Sequence, residues 1–294
     1  MIAVPPIDYT ASGVLVSSTA ADEAAWAVGT TYALDAVVSK NRVKYTSLQA
    51  ANLGKDPETE PLWWLDSGPS NKWAMFDSSV QTASTVTTNL DVVLKVGRAT
   101  AVGLMGLIGQ TVTFTMRDGS GGTVIDTYTQ TLRSSDGGYY SFCFEDFVQT
   151  SDVVATGLFG AADGHLTISI TGTGTVACGL CVVGKQTFLG NAEYGFSMNL
   201  EDRGRSYLDS LGNPVSIDRG YSKGCSGTLI SSTTDFNRLM AFYRDHIDVP
   251  CLWVATPDIS DLVSATVFGK LARVVPALRN HGQVTSSIEI SGYR

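Results

Sequence analysis

The sequence predicts a mainly β, multidomain protein, on three observations. Polar and apolar residues alternate with period two through the middle of the chain. Glycine-containing turn pairs recur between the alternating runs. Charged residues make up only 16% of the 294 positions, well under the roughly 25% usual for soluble domains, which favours buried sheets over solvated helices. A chain of this length has room for several compact units.

Residues 1–23 read as an N-terminal arm or strand, because Pro5-Pro6 favours extended backbone and no helical period is present. Residues 24–68 change character. Aromatic residues crowd together, charges come in pairs, and Pro57 and Pro61 punctuate the segment, as expected of a small separate β module. Residues 69–190 predict an antiparallel, jelly-roll-like β-sandwich. Val112, Phe114 and Met116 alternate with threonines, as do Leu166, Ile168 and Ile170 with Thr167, Ser169 and Thr171. Turns fall at Asp118-Gly119, Asp136-Gly137 and Asp163-Gly164. Residues 191–294 predict a β-rich unit carrying one helix over 234–247. Thr233 or Thr234 is its expected cap, Phe236, Leu239, Met240, Tyr243 and Ile247 its apolar stripe, and Pro250 its stop. Leu252, Val254, Val267, Ile288 and Ile290 are expected to complete that unit's core.

Composition also narrows function. A formal net charge of -8, with no cluster of basic residues, argues against nucleic-acid binding. No apolar run approaches the roughly 18 residues of a membrane span. The N-terminus has no signal-peptide pattern, so a chain made and kept in the cytoplasm, or leaving it by cell lysis, is expected. Cys143, Cys178, Cys181, Cys225 and Cys251 form an odd, sparse set, expected to be buried thiols rather than a disulfide framework or metal site. No cofactor is expected.

Catalysis finds little support. His165 follows a turn, His246 ends the predicted helix, and His281 lies in a loop, so each has a structural reason to be where it is. The pairs Glu58/Glu60, Glu145/Asp146 and Asp258/Asp261 read as solvating charges rather than as a glycosidase pair. The informative feature is the aromatic cluster of Trp26, Tyr32, Tyr45, Trp63, Trp64 and Trp73. So small a module is expected to bury some of these rings and leave one to three outside as a contact surface. Flat rings suit the C–H faces of sugars, and Asp35, Asn52, Asp56, Glu58 and Asp66 could accept hydroxyl hydrogen bonds.

The run from Trp26 through Tyr32, Asp35 and Val38, then Tyr45, Asn52, Pro57 and Trp63-Trp64, resembles the short chitin- and cellulose-type carbohydrate-binding modules appended to bacterial hydrolases. Leu34 stands where those modules commonly have glycine, and a basic turn over Lys40 to Arg42 replaces a neutral one. The resemblance implies carbohydrate binding through Trp26, Tyr32, Tyr45, Trp63 and Trp64. Over nearly the full length, the segments around Trp73 to Asp77, Val176 to Cys178, and Tyr194 to Lys223 are similar to siphophage tail-tip proteins of the distal-tail or hub kind. That second resemblance implies a β-barrel-like C-terminal domain with one packed helix. It also implies a homo-oligomeric ring, contacts with tube, hub and tape-measure proteins, residence in the virion tail, and a non-enzymatic role that includes contact with host surface glycans. A purely structural tail protein without glycan binding, or the accessory chain of a polysaccharide-degrading enzyme, are the alternatives.

Overall fold

The computed structural model describes residues 1–132, 144, 149–217, 220–255 and 265–293. Cys143, the Asp136-Gly137 turn, and the pairs Glu145/Asp146 and Asp258/Asp261 lie outside them. The chain is mainly β, with several antiparallel sheets and, among the described residues, one helical segment longer than a single turn.

Two sheets share the central core. The larger runs, in spatial order, Val124–Thr131, Thr111–Arg117, His165–Cys178, Ser84–Lys95 and Leu15–Ser18; the smaller runs Val153–Thr156, Ala101–Met105 and Leu180–Gly184. The predicted alternation is visible in the burial. Val112, Phe114, Met116, Leu166, Ile168 and Ile170 all point inward, while the threonines between them are only half-buried. From the smaller sheet, Val102, Leu104, Val153, Ala155, Cys181 and Val183 close the same core.

The third large element is an eight-stranded sheet. Its main path runs Thr187–Phe188, Ile2–Val4, Cys251–Val254, Thr266–Asn280, Gln283–Gly292, Tyr221–Ser232 and Asn191–Ala192, and Ser197–Asp202 also pairs with Tyr221–Ser232. The barrel implied by resemblance is not formed among the described residues. The two end strands of the path, Thr187–Phe188 and Asn191–Ala192, are separated in sequence only by Leu189 and Gly190. There the chain crosses from one partner to the other. Leu189 N donates to Met1 O, Met1 N donates to Gly190 O, and the ladder resumes with Asn191 opposite Ile230.

The helical segment begins with a 3-10 turn, Thr233–Asp235, and continues as the α-helix Phe236–His246. Ser232, rather than either threonine, is the cap: its hydroxyl accepts from Thr234 N at 3.3 Å. The buried face also differs from the predicted stripe. Leu239, Phe242 and Tyr243 enter the core, whereas Met240 and Ile247 are exposed. Phe242 is drawn in by the sheet and stacks on His246 at 4.4 Å.

Strands Ile2–Val4 and Cys251–Val254 lie side by side in this sheet and are buried on both faces. Ala3, Cys251 and Trp253 face the helix, together with Val267, Ile288 and Ile290. Ile2, Val4, Leu252 and Val254 face the other way and pack on Ala101, Met105, Leu180 and Val182 of the sandwich. The expected single core for the C-terminal unit is therefore two cores, split by the pleat, which sends successive side chains to opposite faces.

The backbone is approached closely where the N-terminal segment crosses the sandwich. A Cβ on Gly184 would lie 1.9 Å from the Pro5 carbonyl oxygen, and Ile7 N donates to Val183 O at 2.9 Å. We predict that Gly184→Ala lowers stability by about 1–3 kcal/mol in a chemical denaturation experiment. Gly174→Ala, a strand position with nothing within 4 Å of the added carbon, should stay within about 0.5 kcal/mol of the parent.

Candidate functional site

The aromatic module is built on a three-stranded sheet, Val37–Lys40, Val43–Ser47 and Trp64–Pro69, with Thr31–Tyr32 pairing Asn52–Leu53 beside it. Lys40 pairs with Val43 across a two-residue turn. Asn41 and Arg42 both have positive φ, 49° and 73°, the geometry of a tight hairpin turn that matches strand twist. This turn places Lys40 and Arg42 beside the tryptophans.

Tyr45 and Trp64, only 8% and 2% exposed, form the module's interior with Val38. Trp64 Nε1 donates to Lys55 O at 2.8 Å, and the Tyr32 ring meets Trp64 edge-on at 5.3 Å. These contacts make Tyr45 and Trp64 core residues, which removes both from any contact surface. Trp26, Tyr32 and Trp63 are half-buried around them. None of the five rings stands free of the module, although one to three were expected outside.

Cations cover what remains. Lys40 Nζ lies 4.9 Å from the Trp26 ring centroid, Lys55 Nζ 5.4 Å from Trp63, and the Arg42 guanidinium carbon 4.1 Å from Trp73. Each is within the range of a cation–π contact. The sequence carried the signal for this shielding in its Lys40 to Arg42 turn and in Lys55, basic residues spaced among the indoles.

Four of the five polar residues expected to meet sugar hydroxyls are also engaged, the exposed Asp35 being the fifth. Asn52 is fully buried, with Nδ2 donating to Ser47 Oγ at 3.0 Å. Lys40 Nζ donates to both oxygens of Asp56, at 2.6 and 2.7 Å, and pairs with Glu58 at 3.0 Å. Asn41 Nδ2 donates to Glu58 Oε1 at 2.6 Å. The Lys40 hydrogen bond holds Asp56 below its ordinary pKa, and Asn41, followed by Lys40, does the same for Glu58. Asp66 accepts from Gly68 N at 2.9 Å.

The other residues considered for chemistry have local structural roles. His165 Nδ1 lies 2.8 Å from Asp163 O, and His246 Nδ1 lies 2.9 Å from Phe242 O. Cys178, Cys181, Cys225 and Cys251 are buried free thiols. Burial pushes Cys178, Cys225 and Cys251 up to about 12, so they are poor nucleophiles at neutral pH.

Two features of the C-terminal sheet were not foreseen. The first is a long β-ribbon. Ser197–Asp202 pairs with Tyr221–Ser232, and beyond it Arg205–Leu208 pairs with Pro214–Ile217. Over residues 197–217 no side chain is buried, yet Leu200, Tyr207, Leu208, Leu211 and Ile217 all lie there. The second is a cleft of about 320 Å³ between sandwich and sheet, with Val80, Met105, Phe268 and Tyr293 in its wall. At its side Lys223 pairs with Asp152 at 2.6 Å. Leucine and tyrosine interspersed with charges between Leu200 and Leu211 were the available sequence signal for the ribbon; the cleft, assembled from distant segments, had none.

Asp56 and Glu58 titrate below their unfolded values, so the stability they contribute is complete above the ordinary carboxylate range and is lost as pH falls through their lowered values. Tryptophan fluorescence should therefore report loosening of the module on acidification below about pH 4. Lys40→Met should shrink that acid-dependent change. Compared with protein-family models and with curated proteins, the chain matches none.

Proposed function

We propose that the chain is a structural subunit of the tail tip of a long-tailed bacteriophage, in which copies join into a ring through their C-terminal sheets. One observation carries this reading: the sheet has two accessible, unpaired strand edges. Among the described residues, Ser197–Asp202 pairs only with Tyr221–Ser232. Thr266–Asn280 pairs with Cys251–Val254 only as far as Gly269, so among the described residues its Lys270 to Asn280 part is bonded on one side alone. Unsatisfied N–H and C=O groups along an edge are a template for another strand.

The two edges are complementary in charge. Glu201 and Asp202 lie on the first, and Lys270, Arg273 and Arg279 on the second. Joining one edge to the other on the next copy is a head-to-tail contact, the kind that generates rings when its rotation closes. The resemblance to distal-tail and hub proteins supports the same reading, with tube, hub and tape-measure proteins as neighbours and the virion tail as location. The jelly-roll-like sandwich and a barrel-like C-terminal domain belong to this reading as well. It is supported by the near meeting of the end strands at Leu189 and Gly190.

A role for the aromatic module in touching host glycans is a second, narrower reading. Trp26, Tyr32 and Trp63 still reach the surface beside Asp56 and Glu58, and these three rings, without Tyr45 and Trp64, are the residues that could serve.

The purified full chain is expected to form closed rings in negative-stain images and to sediment as an oligomer, increasingly so at low salt. Arg273→Glu with Arg279→Glu should weaken association at least about tenfold, and adding Glu201→Lys with Asp202→Lys should restore part of it. A chain that stays monomeric at high concentration and is missing from virions by mass spectrometry would overturn the proposal. For the module, glycan-array binding that is lost with Trp63→Ala supports sugar contact. Signal in neither protein removes it, and release of reducing sugar would favour an enzyme's accessory chain.

A further inference from the structure

The hairpin turn of the aromatic module holds a residue that its backbone does not favour. Both positions of such a turn take positive φ, and Asn followed by Gly meets that demand best. Asn41 fits at φ 49°, but Arg42 carries a full side chain at φ 73°, where glycine would meet no steric penalty. A residue kept in a strained conformation points to a task for its side chain. Lys40 and Asn41 bond inside the module, to Asp56 and Glu58. Arg42 reaches out of it: Nη2 donates to Thr10 O at 3.0 Å, and the guanidinium carbon lies 4.1 Å from the Trp73 ring centroid.

Both landing points are anchored in the sandwich. Tyr9, next to Thr10, is buried in the sandwich core, stacks on Phe76 at 4.7 Å, and accepts from Val183 N at 2.6 Å through its hydroxyl. The Asp8 carboxylate accepts from Thr10 N and Thr10 Oγ1, at 2.9 and 2.6 Å, which fixes the local turn. Trp73 meets Phe76 edge-on at 6.1 Å. It leads into the 3-10 turn Ala74–Phe76, whose Met75 is fully buried in that same core and donates from N to Ser84 Oγ at 3.1 Å.

The remaining attachment is a joint rather than a packed interface. Among the described residues, the apolar cluster of the module, Val38, Tyr45 and Trp64 with the rings around them, shares no member with the sandwich core. Asn71, where the chain leaves the module, ties the entering and leaving segments to the sandwich strand Ser84–Lys95. Its Nδ2 donates to Ala21 O and Thr85 O at 3.0 and 2.9 Å, and its Oδ1 accepts from Thr85 N at 2.8 Å. Beside this joint lies a cleft of about 550 Å³ with Glu23, Lys44, Ser67, Gln81 and Thr85 in its wall, so side chains do not fill the angle between the two bodies. Units joined by a small polar contact move relative to each other by default. One joint permits swinging, and a second contact away from it stops the swing.

We infer that Arg42 is a latch that fixes the direction in which the aromatic module projects from the sandwich, and that without it the module swings about Asn71. Trp26, Tyr32 and Trp63 are thereby held at one bearing on the sandwich. The latch stands apart from both the edge-to-edge assembly and the contact with sugars, since every group in it belongs to one chain.

The test uses the full chain with Leu62 on the module and Thr127 on the sandwich, both exposed, replaced by p-acetylphenylalanine and spin-labelled there. Diluting it with unlabelled chain restricts electron–electron double resonance to distances within one copy. The parent should give one narrow distance distribution. Arg42→Gly should broaden it at least about twofold. Trp73→Leu, which leaves the hairpin turn untouched and removes the ring under the guanidinium, should broaden it too. In Arg42→Gly, hydrogen exchange over Val37–Lys40 and Val43–Ser47 should be as slow as in the parent or slower, because Asn-Gly suits the turn. A parent distribution that is already broad, an unchanged width in either variant, or faster exchange across those strands in Arg42→Gly would each overturn the latch.

Discussion

The architecture depends on one strand pair that is covered twice. Ile2–Val4 and Cys251–Val254 are adjacent, and the pleat sends Ala3, Cys251 and Trp253 into the helix-side core and Ile2, Val4, Leu252 and Val254 into the core shared with the sandwich. Neither face has polar side chains to spare, so neither can be uncovered cheaply. The indole of Trp253 satisfies its one donor by bonding to Gly269 O at 2.8 Å. Sandwich, sheet and helix are stacked through this pair, and the position of both the cleft and the ribbon base follows from it.

Such two-sided burial explains which parts of the fold were legible. Strands with one dry and one wet face announce themselves by alternation, as Thr111–Arg117 and His165–Cys178 do. The run Cys251–Val254 also reads as a strand because it is continuously apolar. Its double role does not show, since a buried run looks the same whether its two faces meet one unit or two. Ile2–Val4 is short, and its partners at Thr187–Phe188 and Cys251–Val254 lie far along the chain, so no local pattern could place it. The helix was legible in position and in part of its buried face, Leu239 and Tyr243, but not in full: Phe242 and Met240 are both apolar, and the sheet, not the helix, decides which is covered.

The aromatic module shows a different limit. Counting indoles against the size of the segment correctly signals that not all can be buried fully, and Trp26, Tyr32 and Trp63 are indeed only half-covered. What the count misses is that long basic side chains can lie over rings while keeping their charge in water. Lys40, Lys55 and Arg42 do this for Trp26, Trp63 and Trp73, and Asp56 and Glu58 anchor Lys40. A ring that looks available in sequence already has a partner, and any sugar would have to compete with it.

The placement of Ile2–Val4 has a consequence for biogenesis. These residues are synthesised well before either neighbour, one at Thr187–Phe188 and the other at Cys251–Val254. The sandwich can condense around its own core in the meantime, since all of its strands precede Thr187–Phe188 in order of synthesis. The strand Ile2–Val4 must wait, apolar and unpaired, until Cys251–Val254 has emerged. Loop closure over so long a span is slow, so completion of the C-terminal sheet is set by late, long-range capture of Ile2–Val4.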